Sequence, residues 1–232
     1  MSSSSVRPVD TRSPSPPAGG ARAAGKRATR ARLLEAAFTL LEDHGFEGLS
    51  LRHVARVAGV APAAIYRHFD DAEALGLALV EASFEALHES IRLARADTER
   101  GLSAVGSAQI VLRFTAEHRE RFRFLTRERR GGSPALRRAI EAQLELFERD
   151  LAVDLMRDPR IRAWATADVQ LLAGMLVGLM AEAIAELVTA ETPAEQLAVG
   201  ERARRRLRLL ALGIAGWSSA SPGVTGEPGP GA

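Results

Sequence analysis

This sequence predicts an all-α protein: an N-terminal three-helix domain built around a helix-turn-helix, followed by a larger helical domain. Three observations predict it. Residues 50–69, SLRHVARVAGVAPAAIYRHF, read as two short helices around a glycine turn. Apolar residues recur three and four apart through most of the chain, the signature of amphipathic helices. The stretch from Leu171 to Leu187 is apolar nearly all round, so a helix there must be buried against something large.

Composition narrows the classes. A chain of 232 residues, 46% hydrophobic and 26% charged, has room for a small module plus a domain with its own core. With no cysteine, disulfides, zinc–thiolate sites and thiol nucleophiles are excluded. No N-terminal apolar run resembles a signal peptide, and the expected location is the cytoplasm. The run from Leu171 to Ala181 is followed by Glu182 and Glu186, and reads as too short and too charged to span a bilayer. The net charge of +2 hides an asymmetry: ten Lys/Arg face six Asp/Glu through residue 70, against twenty-one and twenty-three afterwards. The positive excess therefore lies in and before the helix-turn-helix.

Residues 1–28, rich in Ser, Pro, Ala and Gly without apolar periodicity, predict a disordered tail. Arg22, Lys26, Arg27 and Arg30 make its end basic, either as a solubilising extension or as an arm lying along DNA. Helix 1 is expected from near Thr29, as cap, to His44, with Leu33, Ala37, Leu40 and Leu41 inward and Gly45 as its stop. In the next helix Leu51, Val54, Ala55 and Ala58 form the apolar stripe, behind Ser50 as N-cap. Gly59 suits the left-handed position where that helix ends, and Pro62 suits the first turn of the next. Ile65 and Phe69 face inward there, leaving Tyr66, Arg67 and His68 outward. Such a helix pair can serve packing alone. A phenol, a guanidinium and an imidazole on one exposed face suit phosphate oxygens.

Asp70 and Asp71 can cap a long helix 4 with Leu75, Leu77, Val80, Phe84, Leu87 and Ile91 on its apolar side. After a break at 97–106, two helices are expected at about 106–118 and 119–127. Gly131 and Gly132 interrupt, and Ser133 with Pro134 starts a helix to about Met156, its inner face carrying Leu136, Ile140, Leu144, Phe147 and Leu151. Two long helices, about 166–190 and 193–216, close the chain. Gly174 and Gly178 would let another helix approach closely, and Arg202, Arg204, Arg205, Arg206 and Arg208 read as a solvated face. A disordered tail is expected over 217–232. The domains are then 29–70 for DNA and 71–216 for ligand and dimer.

The residues from 29 to 75, TRARLLEAAFTLLEDHGFEGLSLRHVA, then AGVA, then IYRHF and Leu75, resemble the N-terminal domain of the TetR family of bacterial transcriptional repressors. LSLRHVARVAGVAPAAIYRHF, GLALV and FRFLTRERRGGS further resemble the FabR/DesT-type regulators of unsaturated-fatty-acid synthesis, over roughly 29–157. The resemblance implies a homodimer joined through a four-helix bundle and bound to double-stranded DNA at a palindromic operator. It implies Arg52 as a groove contact and Tyr66 and His68 as backbone contacts, with Ser50 and Arg67 in support. Two departures matter. Ala72 stands where many members have lysine, and the front of the reading helix, Pro62, Ala63 and Ala64, offers thymine-methyl contact but no polar side-chain group. Arg52 and Arg67 then do most of the direct reading, or DNA shape contributes a large share.

Phe84, Phe114, Phe122, Phe124 and Phe147 either line an apolar effector cavity or form a dry core. Arg127, Arg129 and Arg130 stand just ahead of a helix N-terminus and suit an anion. The subfamily resemblance implies long-chain acyl-CoA as effector; a drug or other apolar small molecule is the competing reading. No cofactor, catalytic residue or metal ligand is expected. His88 and His118 lack a visible partner set for an acyl-thioester enzyme. A DNA-compacting structural protein would leave the large C-terminal domain unexplained.

Overall fold

The computed structural model describes residues 18–96 and 104–219, and every regular element among them is an α-helix. In chain order these are α1 (Ala18–His44), α2 (Leu51–Val57), α3 (Pro62–Ile65), α4 (Ala72–Ala96), α5 (Ala104–Glu117), α6 (Arg119–Gly131), α7 (Pro134–Leu155), α8 (Thr166–Thr189) and α9 (Pro193–Gly216). The expected tails over 1–17 and 220–232, and most of the expected break at 97–106, lie outside the described residues.

Helix α1 starts eleven residues before the expected cap at Thr29. Residues 18–28 are thus helical rather than a loose tail. Five alanines, the best helix formers, offset three glycines in this segment, and no apolar stripe marks it. Thr29 sits inside the helix, its hydroxyl donating to the Gly25 carbonyl at 3.0 Å. At the other end of the chain, residues 217–219 fold back: Trp217 packs on Trp164, and Ser219 Oγ accepts from the Ala165 amide at 2.7 Å, capping the start of α8.

One apolar core runs without a break from the reading domain into the larger one, joining Leu33, Val54, Ile65 and Phe69 to Leu79, Phe84, Phe124 and Ile140. On α4 the buried positions include Leu75, Leu79 and Val80, while Leu77 points outward. A second core gathers Ile161, Leu172, Leu176 and Leu207 between α8, α9 and the loop before α8, and a third lies where Leu187 meets Val199 and Ala203. Helix α8 has 24 residues and is long and apolar enough to cross a membrane by length and composition, contrary to the expectation from its central run. It packs on α5, α6, α7 and α9, which bury part of it and leave Leu171 and Met175 exposed. The α9 arginines brace this pairing from the water side. Arg202 bonds Glu186 at 2.7 Å, Arg206 reaches Glu182 at 3.3 Å, and the hydrogen bond from Arg202 holds the Glu186 carboxyl below its usual range.

Candidate nucleic-acid interface and effector cavity

The reading element is built by local capping. Ser50 Oγ accepts from the His53 amide at 3.2 Å and starts α2. Gly59, at φ +63°, ends it: the Val60 amide bonds the Ala55 carbonyl at 2.9 Å and the Gly59 amide bonds the Arg56 carbonyl at 3.2 Å, the paired bonds of a left-handed helix stop. Pro62 then opens α3. That helix is shorter than expected. It ends at Ile65, and Tyr66–His68 continue as turns, with the His68 amide bonded to the Ile65 carbonyl at 2.8 Å. Ile65 and Phe69 are buried beneath, which leaves Arg52, Ala63, Tyr66 and Arg67 exposed and Ala64 and His68 half-buried.

Two contributions come from α1, of which the basic one, from Lys26 and Arg30, is marked in the sequence and the other, from Arg32, is not. Arg32 donates to the carbonyls of Ala58 and Gly59, tying the turn of the helix-turn-helix to α1. The early part of α1 brings the charges of Lys26 and Arg30 to bear on His68 together with that of Arg67, and Arg30 is paired with Glu81 at 3.4 Å. Arg30 also lies over the Phe69 ring at 5.7 Å. Burial, then the charges of Lys26, Arg30 and Arg67, holds the His68 imidazole below its ordinary pKa, and its buried Nδ1 has no hydrogen-bond partner.

In the larger domain a cavity of about 760 Å³ lies between α4, α5, α6, α7 and α8. Phe84, Phe122, Phe147, Arg129 and Arg130 are on its wall. Phe114, Phe124 and Arg127 are not. Phe114 packs edge-on to Phe122 at 6.0 Å and against His118 at 4.5 Å. Phe124 turns to Phe46 at 5.2 Å, the joint with the reading domain, and Arg127 lies against Gly45 in the same joint. The reason is helical phase. Residues two apart on a helix diverge by about 200°, so Phe122 and Phe124, or Arg127 and Arg129, cannot share a face. The arginines also stand in the last turns of α6 rather than ahead of a free helix start; Ser133 Oγ caps α7 by accepting from the Leu136 amide at 3.3 Å. Their cationic ends complement the α6 dipole there. Arg129 is paired with Glu141 at 2.8 Å.

Helix α6 thus faces both ways. Its Phe122, Leu125 and Arg129 meet the cavity. Its Arg121 covers the Phe38 ring of α1 at 4.1 Å and reaches Glu35 at 3.3 Å. Glu128, buried in the same joint, has its carboxyl pushed up by burial and by Glu47.

Residues 33–79, spanning this reading element and its supports, match the family model "Bacterial regulatory proteins, tetR family". The amino-terminal domain belongs to the TetR family. The whole chain has the fold of solved TetR-family structures. A TetR-family transcriptional regulator from Pectobacterium atrosepticum is similar at 24% identity, covering 82% of this chain and 96% of that one with a TM-score of 0.62. The fatty acid degradation regulator FadR from Bacillus halodurans matches at 18% identity, over 83% and 97% of the two chains, with a TM-score of 0.64. FadR from Bacillus subtilis, solved in complex with stearoyl-CoA, matches at 19% identity over 81% and 99%, with a TM-score of 0.62.

Proposed function

We propose that this protein is a homodimeric transcriptional repressor of lipid or fatty-acid genes, bound to a palindromic operator and controlled by long-chain acyl-CoA. The observation that carries the reading is α6, which joins a largely apolar cavity on one face to the helix-turn-helix domain on the other. A ligand that moves α6 changes where the reading domain sits. In a dimer, that changes the spacing of two heads that must meet successive major grooves. Arg52 is assigned to a base edge, Tyr66 and His68 to phosphates, with Ser50 and Arg67 in support and Ala63 and Ala64 against thymine methyls. Exposed Leu171 and Met175 on α8, with Leu209 and Leu212 on α9, supply the apolar face for a second copy.

The acyl-CoA assignment draws on Arg129 and Arg130 at the cavity wall and on the stearoyl-CoA that FadR of Bacillus subtilis holds in a similar fold. An apolar effector without a phosphorylated head is the second reading, favoured by the pairing of Arg129 with Glu141. The test is a footprint of the operator-bound protein titrated with long-chain acyl-CoA, free CoA and free fatty acid. A discrete protected palindrome released or tightened by the thioester alone supports the proposal. Replacing Arg129 and Arg130 together by alanine should weaken the acyl-CoA response at least tenfold while leaving ligand-free operator affinity nearly unchanged, since charge-assisted bonds are worth about 1.5–3 kcal/mol each. An equal response to acid and thioester selects the second reading.

A further inference from the structure

The cavity is not apolar throughout, and one polar spot lies away from Arg129 and Arg130. His88, on α4, stacks its imidazole flat on Phe147 of α7, with ring centroids 3.7 Å apart and planes 15° apart. Its Nδ1 lies 3.0 Å from the Phe84 carbonyl oxygen. A carbonyl only accepts, so Nδ1 carries the proton whenever the ring is neutral, and in that form Nε2 is a bare acceptor. Stacking and this bond together orient the ring. Nε2 is itself buried and has no hydrogen-bond partner, and Asp150 Oδ2, 3.7 Å away, is beyond hydrogen-bond reach and has no proton to give when ionised. His88 and Asp150 both belong to the cavity wall.

Position along α7 separates this spot from the cationic one. Arg129 is anchored at Glu141, whereas His88 faces Phe147 and Asp150. From Glu141 to Asp150 the helix rises about 13.5 Å at 1.5 Å per residue. Phe84, Phe147 and Leu151 on the same wall offer no proton, and Arg92, one turn along α4, spends its donors on Glu89 at 2.7 and 2.6 Å.

We propose that the effector is a long apolar molecule carrying one hydrogen-bond donor, a hydroxyl or an N–H, which His88 Nε2 accepts. This rests on the cavity being the effector site. A buried acceptor left empty disfavours a plain hydrocarbon chain at that place, and a donor placed there satisfies it; sites built around such a group discriminate strongly against analogues that lack it. His88 is then a specificity-determining residue.

The experiment is calorimetric titration of the full chain with 1-dodecanol and with dodecyl methyl ether, which share a chain but differ in the O–H. The parent protein should bind the alcohol at least tenfold more tightly. His88→Phe, which keeps a ring to stack on Phe147 and removes both nitrogens, should bind the two within a factor of about two. If that variant does not fold, the parent comparison still decides. A parent that binds neither probe, binds both equally or prefers the ether overturns the proposal; preference for the ether is the result expected of an imidazolium paired with Asp150. So does a His88→Phe variant that keeps the preference for the alcohol. Neither probe has a phosphorylated head. A parent that answers acyl-CoA on operator DNA but ignores the O–H therefore keeps the effector reading and loses this one, and the converse pattern does the opposite.

Discussion

Gly76→Ala tests how tightly the reading domain is keyed to the rest of the molecule. Gly76 lies in α4, where an added Cβ would fall 2.6 Å from Phe46 Cζ and 2.9 Å from Leu136 Cδ2. Neither neighbour has free room: Phe46 is held against Phe124 at 5.2 Å, and Leu136 is 1% exposed. Two effects oppose each other. Alanine in a helix interior gains up to about 1 kcal/mol over glycine. Overpacking a close-packed site costs about 1–3 kcal/mol. The net expectation is a loss of about 0–2 kcal/mol. At roughly 2–4 °C per kcal/mol for a chain of this size, the midpoint falls by at most about 8 °C. Gly200→Ala on α9 is the control, because a Cβ there meets nothing within 4 Å and only the propensity gain remains. Urea unfolding of both variants at one protein concentration separates the terms: the difference between them, about 1–3 kcal/mol, is the packing cost. If both variants are stabilised equally, Phe46 and Leu136 give way without cost and the joint is not rigid.

The interface residues divide by what they touch. Arg52→Ala should cost about 1–3 kcal/mol of operator binding and relax preference at one base pair per half-site, while Tyr66→Phe should weaken all sequences alike; an unchanged consensus from binding-site selection with Arg52→Ala removes it from the reading role. Replacing Lys26 and Arg30 together should flatten the dependence of log affinity on log salt by about 0.9 for each phosphate no longer neutralised, and an unchanged slope would show that the early part of α1 does not reach DNA. His68 gives a pH dependence. Its pKa is held below the ordinary value in the free protein, and a phosphate beside it would raise that value, so binding takes up a proton. Operator affinity should therefore rise as pH falls through the DNA-bound pKa and level off below the free one, and His68→Ala, followed by fluorescence anisotropy across pH, should remove that rise.

The helix-turn-helix can be read from the chain because its determinants act within a few residues. Ser50 caps its own helix, Gly59 supplies a left-handed turn that a Cβ would strain, and Pro62 presets the next start. The long helices 166–190 and 193–216 are legible for a related reason: Pro193 and the Thr192–Glu195 capping box mark a boundary locally. Without periodicity the early part of α1 leaves little trace to follow, which is why Lys26 and Arg30 read as the end of a tail although the fold brings their charges to bear on His68. The cavity needs the tertiary structure. Sequence proximity groups Phe122 with Phe124 and Arg127 with Arg129, but each pair is split by helical phase between an effector face and a domain joint. Which face is which depends on what packs against α6, and that is decided by α1, α4, α7 and α8 together. His88 shows the same limit most sharply: its neighbours Phe147 and Asp150 are some sixty residues away in the chain, and no local pattern brings them to one wall.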